Sequence, residues 1–169
     1  MPTEHPSVSL VIPVRNEAGN VTALLREIAD AVGPLGVPWE VLFVDDGSTD
    51  DTFAELRSLH GSHTGDNSAV RVIRFRRNFG KSAALAAGFE AARGDVVVTM
   101  DGDLQDDPAE LPQLLERLDQ GYDLVSGWKK VRHDPLSKTL PSRLFNRILA
   151  WVSGLPLHDF NCGFKAYRR

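Results

Sequence analysis

The sequence predicts an α/β fold, a mainly parallel sheet with helices on both faces. Three observations carry this. Short apolar, β-branched runs recur along the chain, helix-like stretches alternate with them, and each run ends in polar or Gly-bearing residues. Alternation of this kind argues for βαβ units, and a sheet covered on both faces needs near-continuous apolar strands.

Ser9–Val14 is the first apolar run, and Asn20–Val32 follows with Val21, Leu24, Leu25, Ile28 and Val32 near a 3.6 period. Glu40–Val44 is the second run. Thr52–Leu59 comes behind Ser48-Thr49-Asp50-Asp51, a cluster of N-cap residues. Gly61–Ser68 is polar and turn-rich and reads as a surface loop. Val70–Phe75 is the third run, and Lys81–Ala92 is Ala-rich with high helix propensity. After the fourth run, Asp95–Met100, the triplet Asp106-Asp107-Pro108 opens a helix over Pro108–Leu118 with a cap and a first-turn proline. Asp123–Ser126 is the fifth run. A further helix-like stretch, Ser142–Val152, is stopped by Gly154-Leu155-Pro156.

At 169 residues and 42% apolar, the chain has room for one domain with a real core. Its single cysteine cannot close an internal disulfide, which suits a reducing compartment. No apolar run approaches the roughly 20 residues that span a bilayer, and Met1–Pro6 has no signal-peptide character. Charge is split. Residues 1–125 hold 10 Lys/Arg against 21 Asp/Glu, a net of −11, whereas residues 126–169 hold 9 against 2, a net of +7. Such asymmetry points to an anionic partner for the basic part; a tail that merely balances an acidic surface is the plainer alternative.

Ligands of open parallel sheets sit outside the carboxyl ends of the strands. Here those ends carry Arg15-Asn16-Glu17, Asp45-Asp46-Gly47-Ser48, Arg76-Arg77-Asn78-Phe79-Gly80-Lys81, Asp101-Gly102-Asp103 and Gly127-Trp128-Lys129-Lys130. Five polar sets on one edge predict a binding cleft. Asp101 and Asp103, spaced by a glycine behind a buried-type strand, have the chemistry of Mg²⁺ or Mn²⁺ ligands, with phosphates and water completing the shell. Asp45 and Asp46 are placed to accept hydrogen bonds from a ribose or a base. Only one of two adjacent acids can cap the next helix. Arg76, Arg77 and Lys81 are candidates to meet phosphates, and Arg74 reads as part of a solvated basic face. The pattern is not a P-loop. His60 and His63 read as solvated, Cys162 as a small packing residue, and Trp39 and Trp151 as core or interface aromatics.

Taken together, Val11-Ile12-Pro13-Val14-Arg15-Asn16-Glu17, Val44-Asp45-Asp46-Gly47-Ser48-Thr49-Asp50, Arg77-Asn78-Phe79-Gly80-Lys81 and Met100-Asp101-Gly102-Asp103-Leu104-Gln105-Asp106-Asp107-Pro108 resemble family 2 glycosyltransferases of the GT-A fold. Ser126–Arg132, Ser142–Asn146 and His158–Lys165 are similar to the dolichyl/polyprenyl-phosphate sugar transferase branch. The resemblance spans Ser7 to Arg169.

It implies a nucleotide-diphospho-sugar donor (a UDP- or GDP-sugar), Mg²⁺ or Mn²⁺, and a polyprenyl-phosphate acceptor. Pro13, Arg15 and Glu17 would line the base and ribose pocket, with Asp45, Asp46 and Lys81 also on the donor. Asp101 and Asp103 would form the metal and diphosphate motif, Asp103 the more direct ligand. Gln105 would sit beside the sugar, and Asp159 would be a second cleft carboxylate. Lys129, Arg132 and Arg143 would receive the acceptor phosphate. Where many relatives have Ser-Arg, this chain has Trp128-Lys129, which keeps the charge but loses the bidentate fork.

The implied division is a donor-binding part over 7–125 and an acceptor-side part over 126–169, in a C-terminally truncated catalytic domain. The full-length protein would work at the cytoplasmic face of a membrane, through a missing C-terminal region and without nucleic acid, with a homo-oligomer left open. The implied reaction is inverting hexosyl transfer. Transfer to a sugar hydroxyl, with Asp159 as base, and a non-catalytic nucleotide-sugar-binding module both stay open.

Overall fold

The computed structural model describes residues 7–61, 68–127 and 162–169. In chain order the elements are β1 (Val8–Val14), α1 (Val21–Val32), a 3₁₀ turn (Gly33–Leu35), β2 (Trp39–Asp45), α2 (Thr52–Leu59), β3 (Ser68–Arg74), α3 (Lys81–Ala91) and β4 (Val96–Thr99). There follow a second 3₁₀ turn (Pro108–Glu110), α4 (Leu111–Asp119), β5 (Leu124–Ser126) and β6 (Lys165–Arg168). The six strands form one sheet in the order β3-β2-β1-β4-β6-β5.

The first four strands are parallel, with Val8 opposite both Trp39 and Val96. Their composition explains why. β1 and β2 are buried on both faces, so neither strand can alternate apolar with polar. On one face Leu10, Ile12, Val41 and Phe43 pack with Leu24, Leu25 and Ile28 of α1, Leu56 of α2 and Leu111 and Leu118 of α4. On the other face Val11, Leu42 and Val97 meet Ala92 and the partly buried Leu85 and Phe89 of the α3 region. The Ala-rich α3 comes in close because position 88 is glycine. A Cβ there would stand 2.2 Å from Val11 Cγ1.

Two expectations change. The helix expected over Pro108–Leu118 begins as a 3₁₀ turn, capped by the Asp107 side chain on the Ala109 N–H at 2.9 Å. The α-helical geometry starts at Leu111, with Pro112 in its first turn, where no donor is needed. The second change is larger. The fifth run does not pair with the fourth, because β6 lies between them and runs antiparallel to both. Lys165–Arg168 has one fully buried side chain, Ala166, and becomes a strand through its two neighbours. The helix expected over Ser142–Val152, and His63, Trp128 and Trp151, lie outside the described residues.

Trp39 and Cys162 are buried in the core cluster, as expected. His60 is not simply solvated: its Nδ1 hydrogen-bonds the Val70 carbonyl at 3.0 Å and ties the end of α2 to β3. Arg74 lies over the Phe53 ring, 3.8 Å from its centroid, rather than on a bare solvated face. Among the described residues no helix is long and apolar enough to cross a membrane.

Candidate active site

Four loops meet at the carboxyl edge of β1, β2, β3 and β4, and each is held by polar contacts to its neighbours. Asn16 adopts a left-handed conformation (φ 56°). There its N–H donates to Ser48 Oγ at 3.0 Å and its Oδ1 accepts from the Thr49 N–H at 2.9 Å. Those bonds hold a conformation that asparagine tolerates better than most residues. Asp46 spans the next gap, accepting from the Phe79 N–H at 2.7 Å and the Gly80 N–H at 2.9 Å. Gly47 lets these two loops touch: at φ 68° a Cβ would lie 2.4 Å from the Arg77 carbonyl carbon. Gly102 does the same between β4 and β1, where a Cβ would lie 2.6 Å from Val14 Cγ1.

Glu55 pins the loop after β1, accepting from the Gly19 N–H at 2.8 Å and the Thr22 hydroxyl at 2.5 Å. Burial alone would raise its carboxyl, but the bonds from Thr22 and Gly19 prevail and hold it below the ordinary range. Asp50 braces the start of α2 through the Thr52 N–H and hydroxyl, and the Thr52 side chain keeps its carboxyl low.

The loops enclose a cleft of about 340 Å³ lined by Pro13, Arg15, Glu17, Asp46, Asn78, Lys81, Asp101 and Asp103. Seven residues singled out in the sequence are thus brought together from four strand ends. Lys81 Nζ is ion-paired to Asp101 Oδ1 across the cleft. The Asp101 N–H donates to Asp106 Oδ2 at 3.2 Å, and Asp103 Oδ1 accepts from the Gln105 N–H at 3.1 Å. Between the latter two, Leu104 is held at φ 60°, a conformation that L-residues with a Cβ seldom adopt.

Asp45, expected on the donor, faces elsewhere. It is fully buried, accepts from the Ser48 N–H at 2.9 Å, and turns its other oxygen toward Arg74 Nε at 3.6 Å. It builds the turn and does not line the cleft. Gln105 lines a neighbouring cavity of about 560 Å³ with Asp106, Glu110, Arg117, Ser126 and Cys162. Asp159, Lys129, Arg132 and Arg143 lie outside the described residues.

Sequence reasoning missed Gly163. A Cβ there would fall 2.8 Å from both carboxylate oxygens of Asp101, so the approach to β6 forms a wall against the oxygen end of that side chain. Thr99 fixes the wall by donating from Oγ1 to the Gly163 carbonyl at 2.7 Å. The contact joins residues 62 positions apart, and no local pattern announces it.

The donor set suits a hard divalent cation. Among the described residues no three acid, histidine or cysteine side chains converge into a protein cage. Two carboxylates with room beside them are what Mg²⁺ or Mn²⁺ uses when substrate phosphates and water supply the other ligands. Asp101 faces this space with its carboxylate paired to the Lys81 ammonium.

This architecture and edge define the class: a GT-A domain with an acid-lined cleft at the carboxyl ends of its parallel strands. The family follows from sequence. Residues 9–169 match the profile of Glycosyl transferase family 2, and the chain belongs to that family. It is 45% identical over 162 residues to an undecaprenyl-phosphate 4-deoxy-4-formamido-L-arabinose transferase of Pseudomonas aeruginosa, covering 96% of this chain and 47% of that protein. It is 39% identical over 169 residues to a dodecaprenyl-phosphate galacturonate synthase of Rhizobium johnstonii, covering 99% of this chain and 49% of that one. The chain spans about half the length of the curated relatives it matches.

Among solved structures, a mannosyltransferase of Pyrobaculum calidifontis in complex with GDP-Man and Mn²⁺ superposes with a TM-score of 0.69 at 26% identity, covering 99% of this chain and 46% of that one. Glucosyl-3-phosphoglycerate synthase of Mycobacterium tuberculosis, in complex with Mn²⁺, UDP-glucose and glycerol 3-phosphate, superposes at 0.68 and 26%, covering 96% and 57%.

Proposed function

We propose that this chain is the donor-binding and catalytic part of an enzyme that moves a hexose from a nucleotide-diphospho-sugar to a polyprenyl phosphate, with inversion. One observation carries the reading: the polar residues of four strand ends converge on one cleft in which Asp101, Asp103 and Lys81 stand together. The polyprenyl-phosphate transferases among the relatives support the acceptor class.

Residues 7–125 form the donor part. Pro13, Arg15 and Glu17 wall the nucleoside end of the cleft, and Asp46 shapes it by holding the loop that leads into α3. Asp101 and Asp103 would hold Mg²⁺ or Mn²⁺. When bound, the ion neutralises charge developing on the departing diphosphate. Lys81, the first residue of α3, offers that diphosphate a further positive charge.

The acceptor phosphate oxygen attacks the anomeric carbon as the bond to the diphosphate breaks on the opposite face. A phosphate is ionised near neutral pH, so no strong base is needed. Gln105 and Asp159 then orient rather than deprotonate. Residues 126–169 form the acceptor part, with Lys129, Arg132 and Arg143 on the lipid phosphate. A lipid acceptor places the whole protein at a membrane surface, and we assign it the cytoplasmic face.

The test is turnover with UDP- and GDP-sugars on a short-chain polyprenyl phosphate, with product identified by mass. A glycosyl phosphodiester is expected. Transfer to sugar hydroxyls alone would replace this reading with polysaccharide or glycolipid synthesis. Tight donor binding with no transfer would reduce the chain to a binding module.

A further inference from the structure

We propose that Lys81 is a tethered countercation for Asp101: it holds the carboxylate while the cleft is empty of metal and is exchanged for the metal when the donor's diphosphate gives it a new partner. The inference rests on the donor and metal reading above, and deepens it by making Lys81 a coupling device between the two ligands.

The placement of Lys81 is the first ground. It is the first residue of α3, and that helix has no acidic residue in its first turn. A cation there sits at the positive end of the helix dipole, which disfavours it. Helix stability therefore does not explain a lysine at this position; an anion across the cleft does.

The second ground is which anion it meets. Asp46 lines the same cleft but already accepts from the Phe79 and Gly80 N–H groups. Asp103 accepts from the Gln105 N–H. Lys81 pairs with Asp101, whose oxygen end also lies against Gly163, where a Cβ would meet both oxygens. Asp101 lines the cleft with part of its side chain exposed, and the ammonium occupies one of its oxygens.

The third ground is charge. A divalent ion and an ammonium on one carboxylate repel each other, so each lowers the affinity of Asp101 for the other. A diphosphate relieves the conflict because its non-bridging oxygens accept both cations. Metal alone must displace Lys81 into solvent; metal with a nucleoside diphosphate displaces it onto a phosphate. By linkage, the nucleotide then tightens metal binding and the metal tightens nucleotide binding by one and the same factor.

The test is Mn²⁺ titration by calorimetry of the 169-residue chain and of Lys81→Met and Lys81→Arg, each with and without UDP or GDP. Lys81 is about half exposed, so the substitutions fold. Without nucleotide, Lys81→Met binds Mn²⁺ about fivefold tighter than wild type or more, the lower end of ordinary coupling factors. Its nucleotide affinity falls, the nucleotide–metal coupling factor shrinks accordingly, and Lys81→Arg restores weak Mn²⁺ binding. Equal or weaker Mn²⁺ binding by Lys81→Met, with Mn²⁺–nucleotide binding intact in wild type, overturns the proposal and leaves the donor reading standing. No nucleotide binding by wild type at any Mn²⁺ concentration overturns both.

Discussion

The two ends of the parallel sheet use the same residue types for opposite purposes. At the amino end Ser9 donates to Glu40 at 2.6 Å, Arg71 pairs with the other Glu40 oxygen at 2.8 Å, and the Arg93 and Gly94 N–H groups close the set on Glu40 and Ser9. Each charge there is answered by a protein group. At the carboxyl end Arg15, Glu17, Asp101 and Asp103 line open space, and Lys81 is the single protein cation bonded to either Asp101 or Asp103 among the described residues. Acidity does not mark the site. What marks it is acidity whose partners are left for something else to supply.

The largest effect that would break this contrast is at the carboxyl end. Asp103→Asn lowers turnover by about 10²–10³-fold, the scale of losing one electrostatic group at a reacting centre. Stability stays within about 0.5 kcal/mol, because the side chain is exposed. Steady-state kinetics beside urea unfolding separate the two, and a large loss of stability would make Asp103 a structural residue like Glu40.

Glu40→Gln should show the reverse. It leaves donor binding unchanged and costs about 1–3 kcal/mol at pH 7, since Arg71 and the Arg93 N–H lose a charged partner. Burial would raise the Glu40 carboxyl, yet the bonds from Ser9, Arg71 and Arg93 hold it below its usual 4.5. A depressed carboxyl contributes its stability in full above that usual value and loses it as pH falls through the lower folded one. The gap between wild type and variant therefore narrows on acidification, which urea melts from pH 7 to about 3 will show. A gap independent of pH would mean that the charge is not what stabilises.

The smallest effect sharpens the comparison. Gly163→Ala pushes a methyl group against both Asp101 oxygens. It should weaken Mn²⁺-dependent nucleotide binding about tenfold, or ~1.4 kcal/mol, with little change in unfolding. Unaltered binding would show that Asp101 has more freedom than its surroundings suggest.

Much of the donor end was legible because the rule that finds it is local. Residues that follow apolar strands in an α/β chain lie on one edge, and reading them off named Arg15, Glu17, Asp46, Lys81, Asp101 and Asp103 of the cleft. Asp45 shows where that rule stops. Adjacent residues at a strand end point to opposite sides, so two neighbouring acids cannot both face the ligand, and the sequence does not say which one does. Asp46 lines the cleft, with its oxygens on the Phe79 and Gly80 N–H groups; Asp45 is turned away under Ser48. β6 was illegible for another reason. Lys-Ala-Tyr-Arg carries no strand signal of its own and is a strand because β4 and β5 pair with it. Gly163 follows from β6, since its contact with Asp101 exists only once that strand is inserted. The acceptor residues expected beyond Gly127 lie outside the described residues, and their roles rest on resemblance.

The central claim is that the carboxyl-edge cleft binds a nucleotide sugar through a divalent ion held by Asp101 and Asp103. Calorimetric titration of the chain with UDP- and GDP-sugars, with and without Mn²⁺, tests it most directly. One of the two nucleotides is expected to bind, with an affinity that Mn²⁺ strengthens at least tenfold, a gain of ~1.4 kcal/mol, and that Asp101→Asn and Asp103→Asn each abolish. Binding of neither nucleotide, or binding indifferent to Mn²⁺ and to both substitutions, would contradict it.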